Sequence, residues 1–277
     1  MRTKTRLTIT LAQDLVEQID NHVDGIAVKN RSHAIETLIQ NSLSPSVKTA
    51  VILLGGKHKG SEALQKIGNN YLLTQTLNML KKHHLNKVII CLSKGNTKIK
   101  QLFGQGENLG LTISYSYEER PLGTGGAVKK IREQLGKQPF LVIYGDVLTT
   151  LDLSNLFDFH FNEGSLATMA VKPRMAEPKY GQVFLQGNKI IKFLDNSTES
   201  GISIINTGVY VFDSKVFDVF PSKNNFTLEK DVFPYLAEKK QLSASFFQGI
   251  WYEISDTKDY QAAQASWQAM TSDSNKH

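Results

Sequence analysis

The chain has 277 residues, of which 40% are apolar and 21% charged, and a formal net charge of +6. It is long enough for one large or two unequal domains and apolar enough for a sizeable core. No apolar run approaches the roughly 18 residues of a membrane span. The basic start Met1–Arg6 leads into polar/apolar alternation, not into the apolar stretch of a signal peptide. The single cysteine, Cys91, excludes an internal disulfide and a four-cysteine zinc site. A cytoplasmic protein is expected.

The first 46 residues balance five Lys/Arg against five Asp/Glu, so the whole basic excess lies beyond them. A basic balance favours anionic partners such as phosphates without implying nucleic acid. Thr5–Leu11 alternates strictly, with Leu7, Ile9 and Leu11 on one side and Arg6, Thr8 and Thr10 on the other, which predicts a strand. A helical pattern follows (Leu15, Ile19, Val23), and Asp24-Gly25 can stop it. Asn30 is placed as the N-cap of a second helix whose apolar face is Ala34, Ile35, Leu38 and Ile39. So small a module buries little surface alone, and its strand has no internal partner. Antiparallel pairing with a second copy solves both problems and makes a homodimer.

This module, residues 1–45, resembles the ribbon-helix-helix repressors. The resemblance implies that Arg6, Thr8 and Thr10 read operator DNA from the ribbon, which suits a major groove. It also implies that Asn30, Arg31 and Ser32 hold a backbone phosphate. A ribbon kept only for dimerisation, or an edge strand of the larger domain, are the plainer readings. A DNA-bound protein would be nucleoid-associated. Ser42-Leu43-Ser44-Pro45-Ser46 forms a short boundary.

From residue 48 to 277, apolar strand candidates alternate with helical patterns: Val51–Leu54 then Leu72–His83, Lys87–Leu92 then Thr97–Phe103, Leu111–Tyr117 then Gly125–Leu135, and Phe140–Tyr144 then Leu153–Phe161. Continuous apolar strands with intervening helices predict an α/β domain with a Rossmann-like, mostly parallel sheet. Ligands bind such sheets at the carboxyl ends of the strands, where Gly55-Gly56, the turn at Gly123 and Gly145-Asp146 fall. The pattern then turns β-rich (165–172, 180–185, 188–194, 204–212). A helix at 228–239, a short strand near 242–247 and a helix near 257–269 complete it.

Side-chain-free Gly55 and Gly56 let backbone N–H groups approach a phosphate. The Leu122-Gly123-Thr124-Gly125 turn is either a close approach to a base or ribose or simply a tight strand-to-helix turn. Asp146 at a strand end is either a Mg²⁺ ligand or an ordinary loop acid.

Six strings in order resemble the sugar-phosphate nucleotidyltransferases, which join a nucleoside triphosphate to a sugar 1-phosphate and release pyrophosphate. They are Ala50-Val51-Ile52-Leu53-Leu54-Gly55-Gly56-Lys57, Pro121-Leu122-Gly123-Thr124-Gly125-Gly126-Ala127, Tyr144-Gly145-Asp146-Val147, Asn206-Thr207-Gly208-Val209-Tyr210-Val211-Phe212, Leu228-Glu229-Lys230-Asp231-Val232-Phe233-Pro234, and Trp251-Tyr252-Glu253-Ile254. The second string looks most like the mannose, heptose and glucose 1-phosphate branches. The resemblance implies nucleotide or sugar contacts at Gly55, Gly56, Leu122, Gly123, Thr124, Gly125, Asp195, Asn206, Gly208 and Glu229. It implies Mg²⁺ on Asp146 and Glu253, the latter one methylene longer than the family's aspartate, where Mg²⁺ tolerates little misplacement.

The chain departs from that family at its signature loop, which is shortened and holds no arginine between Gly55 and Arg120. Glu62 stands near a family lysine, and Asp195-Asn196-Ser197 aligns with the family's Glu-Lys-Pro. A lost phosphate-binding arginine can cost about 10³–10⁵ in rate. Lys57 and Lys59 are the candidate catalytic replacements, beside Asp146, although lysine lacks arginine's fork. These losses favour a DNA-binding transcriptional regulator whose large domain binds a nucleotide, sugar phosphate or sugar nucleotide with weak or absent catalysis. An active Mg²⁺-dependent nucleotidyltransferase is the alternative, and a structural dimer with a vestigial enzyme fold is a third reading.

Overall fold

The computed structural model describes residues 8–26, 28–43, 46–55, 60–195 and 201–274. The chain divides into two compact units, Met1–Pro45 and Ser46–His277.

The first unit forms two helices, α1 (Gln13–Asp20) and α2 (Arg31–Leu43). Between them the Asp24 carboxylate accepts the backbone N–H groups of Ile26 and Val28. Asn30 caps α2, its Oδ1 accepting the His33 N–H at 3.0 Å. Residues 8–12 carry no strand, because a lone strand has no ladder partner inside one copy of the unit. Arg6 lies outside the described residues, while Thr8, Thr10, Asn30, Arg31 and Ser32 are exposed. The Arg31 guanidinium is engaged, donating from Nε and Nη2 to Asp20 at 2.7 and 2.6 Å.

In the second unit, β1 (Thr49–Leu54) leads to a 3-10 turn at Glu62–Leu64 and a small hairpin of β2 (Lys66–Ile67) and β3 (Asn70–Tyr71). Then come α3 (Leu72–Lys82), β4 (Lys87–Ser93), α4 (Lys98–Phe103), β5 (Thr112–Glu118), α5 (Gly123–Lys130), α6 (Arg132–Leu135), β6 (Phe140–Tyr144), β7 (Val147–Thr149) and α7 (Leu153–Glu163). The chain ends with β8 (Ala167–Met175), β9 (Gln182–Gln186), β10 (Lys189–Leu194), β11 (Ile202–Phe212), α8 (Phe233–Glu238), β12 (Leu242–Phe246), β13 (Trp251–Glu253) and α9 (Thr257–Ser274).

Nine strands form one sheet in the order β5-β4-β1-β6-β11-β8-β12-β10-β9. The parallel expectation holds for β5, β4, β1 and β6, which are joined through helices. Beyond them the sheet is mixed: β11 runs antiparallel to both β6 and β8, and β9–β10 is a hairpin turning at Gly187-Asn188. A connection of two residues permits only antiparallel pairing.

The sheet is covered on both faces. Along β1, Ala50, Ile52 and Leu54 enter one apolar cluster and Val51 the other; along β6, Leu141 and Ile143 oppose Phe140 and Val142 in the same way. Leu73, Leu77 and Leu80 of α3 recur at helical spacing and pack into the first cluster. Each fully buried Leu, Ile or Val contributes roughly 1.5–3 kcal/mol. This core fixes the carboxyl ends of β1 and β6 side by side, in the parallel register Leu53 with Tyr144.

Candidate functional site

Two carboxylates meet just past β6. The chain leaves Tyr144, the Gly145 N–H donates to the Leu53 carbonyl at 3.0 Å, and β7 then pairs antiparallel with β13. Glu253 lies opposite Val147, and the Ile254 N–H donates to the Asp146 carbonyl at 2.8 Å. Trp251 anchors β13: it is 1% exposed, its Nε1 donates to the Thr207 carbonyl at 2.8 Å, and its ring meets Tyr180 edge-on. Burial, and next the charge of Asp146, push the Glu253 carboxyl up to about 8. Two carboxyl groups that cannot comfortably share negative charge invite a cation.

A second cluster faces them. The Glu229 carboxylate accepts the Tyr144 hydroxyl on one oxygen and the Thr124 hydroxyl, at 2.7 Å, on the other. Thr124 in turn accepts the Leu228 N–H at 2.9 Å. Glu229 sits on a π-helical turn, Leu228–Val232, a local form that recurs at functional sites. The Tyr144 and Tyr210 phenols are held well above their ordinary range, first by burial and then by the Glu229 charge. On β11 the ladder with β8 breaks between Asn206 and Tyr210. Gly208 takes φ +74° there, and Asn206 Oδ1 accepts the Gly208 N–H and the Tyr210 hydroxyl at 3.0 and 2.8 Å.

A cavity of about 440 Å³ lies between the two clusters, with Leu53, Gly55, Thr124, Tyr144, Asp146, Lys179, Tyr180, Gly181, Asp195, Asn206, Gly208, Thr227, Glu229, Lys230 and Glu253 on its walls. A smaller cavity of about 180 Å³ adjoins it and shares Leu53, Gly55, Thr124 and Thr227. Its further lining is Glu118, Pro121, Gly123 and Ala127. Glu118 closes β5; burial raises its pKa against the opposing Leu122 N–H, which donates to Oε2 at 3.1 Å.

Of the residues expected from sequence, Gly55, Thr124, Asp146, Asp195, Asn206, Gly208, Glu229 and Glu253 gather in the larger cavity, and Gly123 lines the smaller one. Leu122 and Gly125 line neither. The glycines of the turn answer to packing. A Cβ on Gly123, whose φ is +73°, would lie 2.4 Å from the Phe226 carbonyl oxygen, and one on Gly126 would lie 2.3 Å from that of Asn224. Thr124 is the residue of this turn that lines both cavities. Gly56, Lys57 and Lys59 lie outside the described residues.

Sequence reasoning missed Tyr144, Lys179, Tyr180, Thr227 and Lys230. Tyr144, Thr227 and Lys230 sit inside or beside quoted strings, but nothing local says that their side chains converge. Lys179-Tyr180 precedes β9 as an ordinary loop.

The first half of the sheet, with a cavity at the carboxyl ends of β1 and β6, defines an α/β nucleotide-diphospho-sugar transferase-like fold. HddC from Yersinia pseudotuberculosis superposes with a TM-score of 0.69 at 21% identity, over 79% of this chain and 99% of that one. The family profile described as nucleotidyl transferase matches residues 50–269, and the chain belongs to that family. It is 31% identical to the mannose-1-phosphate guanylyltransferase catalytic subunit beta of Drosophila melanogaster, over 71% of this chain and 54% of that protein. It is 29% identical to the D-glycero-alpha-D-manno-heptose 1-phosphate guanylyltransferase of Aneurinibacillus thermoaerophilus, over 79% of this chain and 98% of that one. The chain thus spans about half the length of the mannose-1-phosphate relatives it matches.

Proposed function

We propose that the second unit is a Mg²⁺-dependent sugar-1-phosphate nucleotidyltransferase. The observation that carries this is the Asp146–Glu253 pair in a cavity large enough for a sugar phosphate, beside a smaller one suited to a base with which it shares a wall. Because the relatives are named as enzymes, this reading now stands ahead of a catalytically silent regulator.

In the proposed reaction, a phosphate oxygen of the sugar 1-phosphate attacks the α-phosphorus of the nucleoside triphosphate. The bond between that phosphorus and the pyrophosphate oxygen breaks, and pyrophosphate leaves. The base would rest on Pro121 and Ala127, with Glu118 as acceptor for its N–H groups. Gly55, shared by both cavities, lets the phosphates approach the end of β1. Glu229, held by Tyr144 and Thr124, and Asn206 would orient sugar hydroxyls.

The Asp146 and Glu253 carboxyl groups on the wall of the larger cavity are hard oxygen donors of the kind Mg²⁺ takes, and substrate phosphates would supply further ones. When bound, that ion neutralises charge on the transferring phosphoryl group. Asp146 and Glu253 would hold it. Pyrophosphate release from GTP with mannose 1-phosphate or a heptose 1-phosphate, with and without EDTA, tests the reading. Full-chain protein that released none over a panel of nucleotides and sugar 1-phosphates would return it to the sensor class.

The separate Met1–Pro45 unit supports a second, compatible reading: dimerisation and operator binding through Arg6, Thr8 and Thr10. Exposed Ile9, Leu15 and Ile39 give it apolar surface for a second copy. A gel shift on the gene's own upstream DNA tests it, and equal retardation by an Arg6→Ala/Thr8→Ala variant would rule out base reading.

A further inference from the structure

A cavity that receives two phosphorylated substrates must offset its own negative charge. Four carboxyl groups line this one, Asp146, Asp195, Glu229 and Glu253, and even with Glu253 protonated they outnumber Lys179 and Lys230 among the described residues. Lys179 is already committed. Its Nζ lies 2.6 Å from Asp259 and 3.5 Å from Glu177. Burial works against its charge, but the Asp259 hydrogen bond and its neighbours outweigh this and hold the ammonium above the ordinary lysine range.

Lys230 is different. Its Nζ stands 4.0 Å from Asp195 Oδ2, beyond hydrogen-bonding distance, and its side chain is 68% exposed. So loose a surface pair is worth little and yields readily to a phosphate dianion. Its backbone, by contrast, is pinned. The Lys230 N–H donates to Thr227 Oγ1 at 3.2 Å, the Thr227 N–H donates to Asp231 at 3.0 Å, and Asp231 pairs with Lys223 at 2.6 Å. The Leu228 N–H on Thr124 ties the π-helical turn to α5. A fixed backbone thus carries a cation free to move.

The two cavities decide which phosphate it meets. Glu118, Pro121 and Ala127 line only the smaller one, whereas Lys230, Asp195 and Asn206 line only the larger. With the base in the smaller cavity, Lys230 lines the space left for the second substrate. We infer that Lys230 binds the phosphate of the sugar 1-phosphate, exchanging Asp195 for it; this rests on the nucleotidyltransferase reading above.

Calorimetric titration of the full chain with Mg²⁺ tests the assignment. The probes are GTP, mannose 1-phosphate, glucose 1-phosphate and unphosphorylated mannose. Lys230→Ala should weaken the better-bound sugar 1-phosphate by roughly tenfold or more, leave GTP within about twofold, and leave mannose unchanged. Lys230→Arg should recover most of the loss, and Lys192→Ala, on the exposed face of β10, should have no effect. Unchanged sugar 1-phosphate affinity in Lys230→Ala, or an equal loss for GTP, overturns the assignment. Wild-type protein that binds GTP but neither sugar 1-phosphate overturns it while sparing the nucleotide site. Binding of no probe overturns the nucleotidyltransferase reading and the assignment with it.

Discussion

Asp146 and Thr124 show how single side chains in this cavity do different work. Asp146 shares its corner with a carboxyl group that its own charge helps to keep protonated. Asp146→Asn removes a hard anionic donor while keeping the shape, and Mg²⁺-dependent pyrophosphate release should fall by at least about 100-fold. Thermal melting should change little, which separates lost chemistry from lost folding. Thr124 is structural first: its hydroxyl donates to Glu229 and accepts from Leu228. Thr124→Val leaves a partly buried carboxylate short of a donor, and urea unfolding should show a loss of about 1.5–3 kcal/mol. An unchanged midpoint would mean that Glu229 finds another donor.

At the scale of elements, the turn into α5 is locked against the segment 224–227. The Gly126 N–H donates to the Phe226 carbonyl at 3.1 Å and the Phe226 N–H to the Leu122 carbonyl at 3.0 Å. Lys129 Nζ completes the join by donating to the carbonyls of Pro221 and Ser222 at 2.7 and 2.8 Å. Gly123→Ala must put a Cβ into a positive-φ residue and against the Phe226 oxygen. Adding roughly 1–2 kcal/mol of backbone strain to about 1–3 kcal/mol of overpacking predicts a loss of about 2–5 kcal/mol. Chemical denaturation measures it, and a loss under about 1 kcal/mol would show that the segment gives way. The sequence placed this turn correctly between β5 and α5. It left the glycines open between a ligand approach and a tight turn, and could not show their packing, because Phe226 and Asn224 lie about a hundred residues downstream.

At the scale of the whole molecule, His160 couples stability to pH. It is 3% exposed on α7, its Nδ1 lies 2.9 Å from Thr168 Oγ1 of β8, and burial depresses its pKa to about 4. An unfolded histidine titrates near 6.5, so between about pH 6.5 and 4 the unfolded chain binds more protons than the folded one. Stability is therefore full above about pH 6.5 and falls as pH drops, by about 3 kcal/mol from this group once pH reaches about 4. His160→Gln should flatten that part of the profile in urea titrations between pH 7 and 4.5; parallel profiles for the two proteins would refute the coupling. The second unit carries its own core, starting at Val47. A chain truncated to residues 46–277 should therefore melt cooperatively within a few degrees of the full chain. Any operator retardation should disappear with the missing segment.

Much of this was legible in the sequence, for a definite reason. Strand and helix periods are local, so the apolar runs of β1, β4 and β6 and the stripe of α3 announce themselves over a few residues. Six short strings kept in order were enough to point to the family. What only the tertiary structure decided is convergence. Asp146 meets Glu253 because β7 pairs with β13, and Glu229 meets Tyr144 and Thr124 because α5 docks on the π-helical turn. Lys179 and Lys230 do not stand out as cavity residues in the sequence, since a lysine in a loop or on a helical turn reads as solvated until its neighbours are known. Along the sequence the candidate cations, Lys57 and Lys59, lie beside the glycine loop. Among the described residues the fold brings two more lysines to the cavity from far downstream, because strand order, not sequence distance, sets which segments share a sheet edge.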